Sequence, residues 1–369
     1  MRATYVIAGG YTVGHLTPGL AVAEELRQRH PKLAVLFAGW ADPVEADFVR
    51  RAGLPFLALP GAPWVGRGAG ARGHSLAAVL PAAWIARRHF RAAGAVGLLS
   101  LGSFAAFAPA LAARSLGLPV TIFEPNARLG LANRLIRHFA REVLASRLFD
   151  PAALPRSLPC EVVGVPLRSA LQDLAARHPA PPTGTVHLLV LGGSLGDPFL
   201  NARAPGLARR LAASGVDLRV THQCGRGIAA TAVQEAYAQL GLRATVAPFL
   251  DPIAPVLASA QFVLTAGGAV TLHEVAAAGV PLLVVPLGGA AAVHQRGNAA
   301  AFGQATGCLC RTEETWDESE AAAAIAAVLR DPARWQQQSH ALQGFVSSDA
   351  RAAAVARIVA TLRAAARRP

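Results

Sequence analysis

Three glycine-rich stretches hold the residues best suited to chemistry. "AGGYTVGH" (8–15) ends on His15, "LGGSLGD" (191–197) carries Ser194, and "AGGAVTLHE" (266–274) sets Gly267 and Gly268 ahead of Glu274. Each follows a short apolar run and opens an alanine-rich one, the pattern of a strand turning into a helix. Glycine lets backbone amides approach a phosphate at a helix N-terminus, where the helix dipole also favours an anion. None of the three reads GxGxxG, and no acidic ribose partner follows the first strand, which disfavours a nicotinamide-dependent oxidoreductase.

His15 has two readings: a capping or packing histidine, or a general base at the mouth of a loop. The Ser194 hydroxyl and its neighbouring amides suit a diphosphate; as structure alone they make a tight turn before a helix starting near Asp197. Glu274 lies about one turn into a helix that begins near Ala269. A carboxylate there accepts hydrogen bonds from vicinal hydroxyls, as a ribose offers. A surface glutamate is the plain alternative, but "EVAAAGVPLLVVP" reads as buried, and a buried carboxylate without partners is costly. In "AVHQRGNAAAFG" (292–303), Gln295 and Asn298 can donate and accept at once, which suits sugar hydroxyls, and His294 and Arg296 add a possible contact.

The elements that must position these residues repeat regularly. Strand-like runs at 4–9, 34–39, 96–102, 120–124 and 142–146 alternate with helical stretches, and the alternation restarts at 186–194, 217–223, 244–249, 262–268 and 281–286. Such α/β chains form parallel sheets covered on both faces. The expectation is two Rossmann-like, doubly wound domains facing a cleft at their strand carboxyl ends. The boundaries expected are 1–168, a proline-rich linker at 169–185, 186–348, and a C-terminal helix at 349–369 that packs back across the junction.

The 369 residues exceed one ordinary core, and with 53% hydrophobic and 15% charged residues the chain is neither disordered nor fibrous. The net charge is +13 with Lys32 the only lysine, a basicity suited to phosphate or an anionic membrane surface. Nucleic acid is disfavoured, because the arginines are dispersed and no zinc-finger or RNA-binding aromatic signature is present. Cys160, Cys224, Cys308 and Cys310 make no zinc spacing, and they read as reduced thiols. Met1 and Arg2 lead straight into "TYVIAGG" without the pattern of a secretory signal. The uncharged windows 92–113 and 275–293 are broken by glycine and proline and read as buried α/β units, not membrane spans. Within 73–94, apolar Leu76, Leu80, Trp84 and Phe90 run into Arg87, Arg88 and Arg91. That face suits a headgroup layer, or equally an ordinary helix packed on the sheet.

The order GG…GH, FEPN, VGVPLR, GGSLG, AGGAVTLHEVAAAGVPLLVVP and HQRGNA resembles the MurG family from Tyr5 to about Leu362. The resemblance implies a GT-B fold and an inverting, metal-independent hexosyltransferase that needs no cofactor. Its donor would be UDP-N-acetylglucosamine and its acceptor undecaprenyl-linked lipid I, giving lipid II for peptidoglycan at the cytoplasmic face of the membrane. It makes Glu274 the ribose ligand, Arg168 and Leu250 nucleobase contacts, Ser194 a phosphate contact, Gln295 a sugar contact, Asn126 a neighbour of the transferred sugar and His15 the base. The chain departs from the family mainly in its first half. "GGYTVGH" stands for "GGTGGH", "LGSFAAFAP" for "GGYVSGP" and "FEPN" for "HEQN", while in the donor loop Gly267 stands where serine is common.

Overall fold

The computed structural model describes residues 2–10, 12–61, 78–289 and 293–367, with Val13 described through its backbone alone. Tyr11, Leu76 and the Val13 side chain therefore lie outside the described residues. The chain divides into two compact units, 1–168 with 349–369, and 169–348.

The first unit runs β1 (Thr4–Ala8), α1 (Val13–Arg29), β2 (Ala34–Trp40), α2 (Pro43–Arg51), β3 (Phe56–Leu59), α3 (Val79–Ala92) and β4 (Ala95–Ser100). It continues through α4 (Phe107–Ser115), β5 (Val120–Glu124), α5 (Leu131–Ile136), β6 (Glu142–Ala145) and β7 (Cys160–Val162). The strands pair in parallel in the order β3-β2-β1-β4-β5-β6-β7. Val6, Leu98, Ile122 and Val143 are sealed from solvent, as strands covered on both faces require.

The second unit runs α6 (Ser169–Ala175), β8 (Val186–Leu191), α7 (Pro198–Ala213), β9 (Leu218–Gln223), α8 (Ala230–Gln239), β10 (Ala244–Ala247), α9 (Ala254–Ser259) and β11 (Phe262–Thr265). It is completed by α10 (Ala269–Ala278), β12 (Leu282–Val284), α11 (Val293–Thr306), β13 (Leu309–Cys310), α12 (Glu318–Leu329) and α13 (Pro332–Phe345). Its parallel order is β10-β9-β8-β11-β12-β13. Within the segment read as a linker, α6 buries Leu171 and Leu174 and packs on α10.

The last helix, α14 (Ala350–Ala366), belongs to the first unit. Arg351 pairs with Glu24 at 3.0 Å and Glu25 at 2.9 Å on α1. Arg357 pairs with buried Glu142 at 2.8 Å and with Glu161 at 2.9 Å.

The uncharged window 92–113 resolves into the end of α3, β4 and α4, and among the described residues no helix is long and apolar enough to cross a membrane. On α3 the apolar residues divide. Phe90 is fully buried, so it packs in the core and offers nothing to a headgroup layer, whereas Leu80 and Trp84 are 75% and 59% exposed.

In both sheets the strand order reverses between two central neighbours, β1 and β4 in the first and β8 and β11 in the second. Loops leaving the carboxyl ends of such a pair diverge and open a crevice, where doubly wound sheets bind ligands. The glycine-rich loops lie at these two places.

Candidate functional site

At the second sheet, the loop after β11 is held from both sides by α11. The Gly267 N–H donates to Gln295 Oε1 at 3.2 Å, and the Gly267 carbonyl accepts from Asn298 Nδ2 at 3.0 Å. Gln295 Oε1 also accepts the Leu287 N–H at 3.1 Å, so both of these bonds use the amide oxygen. The Gly267 amide is therefore already engaged and is not open to an anion. What stays open is the first turn of α10. Its N-cap, Gly268, has no side chain to cap the helix, and the turn has no acidic residue. The amides there point out of the helix with the positive end of its dipole behind them. Glu274 lies in the following turn of the same helix, half-buried between buried His273 and Val275.

The loop after β8 differs. Asp197 is 1% exposed and caps α7, accepting from the Phe199 N–H at 2.9 Å and the Leu200 N–H at 3.1 Å. A carboxylate therefore already occupies that helix terminus, and the diphosphate contact expected here falls to Ser194 and the glycine backbone. Burial pushes the Asp197 carboxyl up to about 6, against the pull of the two N–H groups; Glu313 nearby adds to the rise. Ser194 is half-buried and its carbonyl accepts from Arg226 N–H at 3.1 Å. The β8 and β11 loops are neighbours: Ala266 N–H donates to the Leu191 carbonyl at 3.2 Å. Leu250, beyond β10, joins the same edge of the sheet through Gln223, whose Oε1 accepts its N–H at 2.9 Å.

At the first sheet, β1 ends at Gly9–Gly10. Gly10 has φ +156°, and a β-carbon there would lie 2.5 Å from Glu45 Oε2. Glu45 itself is 1% exposed, a buried carboxylate placed against this loop by α2. His15, in the first turn of α1, has Nδ1 2.5 Å from Thr12 Oγ1.

The loop after β5 is organised by Glu124, buried at the carboxyl end of that strand. Its carboxylate accepts from Asn126 N–H at 3.2 Å, Asn126 Nδ2 at 2.7 Å, Gly130 N–H at 3.0 Å and Asn133 Nδ2 at 3.0 Å. Burial raises the carboxyl above its ordinary range, and these donors oppose the rise. Asn133 Oδ1 in turn accepts from Ser100 Oγ at 3.0 Å, tying the β5 loop to the end of β4. Asn126 is thus placed by a buried network.

The structure gathers Ser194, Leu250, Gly267, Gly268, Glu274 and Gln295 on the second unit, and His15 and Asn126 on the carboxyl edge of the first sheet. Arg168 is the last residue of the first unit, with its guanidinium 5.8 Å from the Phe48 ring centroid. Sequence reasoning missed Gln223, Asn133, Thr12 and Glu45. Of these only Asn133 had a visible clue, an uncommon amide in the apolar helix "LANRLI".

Two doubly wound parallel sheets with glycine loops at their switch points, and an uncapped helix at the second, define a two-domain α/β protein of the nucleotide-binding class. Residues 5–145 match the glycosyltransferase family 28 N-terminal domain and 187–354 the family 28 C-terminal domain. A UDP-N-acetylglucosamine–N-acetylmuramyl-(pentapeptide) pyrophosphoryl-undecaprenol N-acetylglucosamine transferase of Sorangium cellulosum is 38% identical over 99% of this chain and 89% of its own. The enzyme of that name from Magnetococcus marinus is 34% identical over 94% of each chain. The crystal structure of Acinetobacter baumannii MurG superposes with a TM-score of 0.72 at 26% identity, covering 97% of this chain and 99% of that one. The chain belongs to the MurG family of family 28 glycosyltransferases.

Proposed function

We propose that the chain transfers N-acetylglucosamine from UDP-N-acetylglucosamine to the lipid-linked muramyl pentapeptide, lipid I, to form lipid II. The observation that carries this reading is the open N-terminus of α10 with Glu274 one turn on. The amides of that turn, with Ser194, suit the diphosphate and stabilise negative charge as UDP departs, a role a helix dipole fills without a metal ion. Glu274 suits the ribose hydroxyls, Leu250 and Arg168 the base, and Gln295 the sugar. His15 takes the proton from the acceptor hydroxyl as it attacks the anomeric carbon on the face opposite UDP, which inverts the configuration. Asn126 suits a contact to the transferred sugar.

The acceptor is lipid-borne, and α3 offers a means of reaching it. Trp84 and Leu80 are exposed beside Arg87, Arg88 and Arg91, with the Arg88 guanidinium 4.8 Å from the Trp84 ring centroid. An aromatic apolar tip beside cations suits peripheral binding to an anionic, cytoplasmic-side surface.

A second reading, a related transferase with another acceptor, is favoured by the first unit's altered loop. Buried Leu101 fills space against Gly9, and "LGSFAAFAP" keeps little of the glycine of the family pattern "GGYVSGP". The test is a product assay by mass spectrometry with UDP-N-acetylglucosamine and lipid I, alongside other lipid and glycoside acceptors. Lipid II as the main product supports the proposal. Transfer only to another acceptor replaces it with the second reading, and UDP binding without any transfer or donor hydrolysis makes the chain a silent homologue. Calorimetry on Glu274→Ala should show UDP affinity reduced about ten- to hundredfold, the scale of a hydrogen bond to a charged group; unchanged affinity removes the ribose assignment.

A further inference from the structure

We infer that Gln223, the last residue of β9, is a positioning residue for the donor nucleotide, its one carboxamide holding the diphosphate loop and the nucleobase loop in register. This rests on the donor reading above.

Gln223 is 6% exposed. Its Nε2 donates to the Gly193 carbonyl at 2.9 Å, and its Oε1 accepts the Leu250 N–H at 2.9 Å. Gly193 adjoins Ser194, the phosphate candidate, and Leu250 is the nucleobase candidate. In the sheet order β10-β9-β8 the two loops leave strands that do not touch each other, with β9 between them. Neighbouring strands lie about 4.8 Å apart, so the loops are separated by roughly twice that, and a side chain on the middle strand is the natural bridge.

The chemistry of the bridge is specific. One end meets a carbonyl and needs a donor; the other meets an N–H and needs an acceptor. A carboxamide meets both demands, whereas a carboxylate loses the first and a thioether loses both. The opposite amide orientation would set oxygen against oxygen and N–H against N–H, so the network fixes the assignment.

The platform under Gln223 is rigid. Gly192 N–H donates to the Gln223 carbonyl at 3.2 Å, and Gly225 N–H to the Pro248 carbonyl at 3.1 Å. Gly196 and Gly225 meet backbone to backbone, since a β-carbon on Gly225 would stand 2.1 Å from the Gly196 Cα. The preceding His222 is buried and bonds Tyr237 Oη at 3.0 Å and Asn201 Oδ1 at 2.9 Å. A nucleotide fixes the span between its base and its phosphates covalently. Two loops that grip both must be held at that span, and Gln223 is where they are joined.

The test compares wild type, Gln223→Met and Gln223→Glu by calorimetry with UDP and with uridine, and by steady-state kinetics. Gln223→Met should weaken UDP about tenfold, the scale of one or two lost hydrogen bonds, and raise the donor KM in proportion with kcat much less affected. Gln223→Glu keeps the Leu250 bond, so uridine affinity should stay near wild type while UDP affinity falls. The ratio of the two affinities then collapses, which a general loss of stability would not produce. Folded variants with wild-type affinity for both ligands, or variants that lose only thermal stability, overturn the inference while leaving the donor reading intact. A wild-type chain that binds no UDP removes the donor reading and this inference with it.

Discussion

Gly267 lies so close to Gln295 that a β-carbon on the glycine would stand 2.5 Å from the Gln295 carbonyl oxygen. That oxygen is backbone and cannot swing aside, so here the loop admits only glycine. The glycine that replaces the serine common in the family pattern is thus matched by a local approach of α11.

Gly267→Ala is therefore expected to force α11 away from the β11 loop. Overpacking of this kind costs about 1–3 kcal/mol, read as a lower denaturation midpoint at unchanged slope. Because Gln295 and Asn298 move with the helix, the donor KM should rise as well. A variant with wild-type midpoint and KM would show that the close approach is not held in solution.

The Thr12–His15 contact is compatible with the tautomer that the proposed base requires. For Nε2 to accept a proton, Nδ1 must carry the hydrogen and donate it to Thr12 Oγ1. His15→Ala should lower kcat about 10²- to 10⁴-fold, the range of general-base assistance, with little change in UDP affinity. Thr12→Val, which loses the acceptor but keeps the shape, should lower kcat by a smaller factor and alter its pH profile. Near-normal turnover in folded His15→Ala would assign the base elsewhere.

Much of the fold and part of the site were legible in the residues because both follow from local rules. Apolar runs ending in glycine marked β1, β8 and β11, and the turns after them carried Ser194, Gly267 and Glu274. What the one-dimensional pattern could not show was which helix ends were already filled. Asp197 and Gly268 both precede helices after glycine loops, yet one is a cap and the other leaves its amides open, a difference set by side-chain geometry. Gln223 and Asn133 were hidden for another reason. Their partners lie far along the chain, and a buried amide has no periodicity to betray it.

Asp197 gives a pH signature of known sign. Its carboxyl is pushed up to about 6 in the folded chain from an ordinary value of 3.8, so between these values the folded form binds more protons than the unfolded. Its contribution to stability is therefore greatest at the acid end of that window and is lost as pH rises through 6. Asparagine caps helices as well as aspartate and carries no charge. Asp197→Asn should be neutral or stabilising at pH 7–8, and less favourable relative to wild type near pH 4. Melting temperatures of both proteins across this range check it, and parallel curves would refute the shift.

Ser103 follows Gly102 at the altered loop of the first unit and holds φ +60°, ψ 162°. That region is close to exclusive to glycine, and a side chain there costs about 1–3 kcal/mol. The serine recovers part of this by accepting the Ala105 N–H at 3.2 Å. Ser103→Gly relieves the strain but frees the unfolded chain and gives up that bond, terms of about 0.5–1 kcal/mol and a few tenths. The balance predicts stabilisation of about 1 kcal/mol. Ser103→Ala keeps the strain and loses the bond, so it should destabilise by about 1 kcal/mol. The opposite signs are the diagnostic, and chemical denaturation of the pair reads them directly. If both variants are destabilised, the backbone at Ser103 is relaxed and the loop's departure from glycine carries no strain. If the signs differ as expected, comparing acceptor KM between wild type and Ser103→Gly shows whether the strained backbone bears on acceptor recognition.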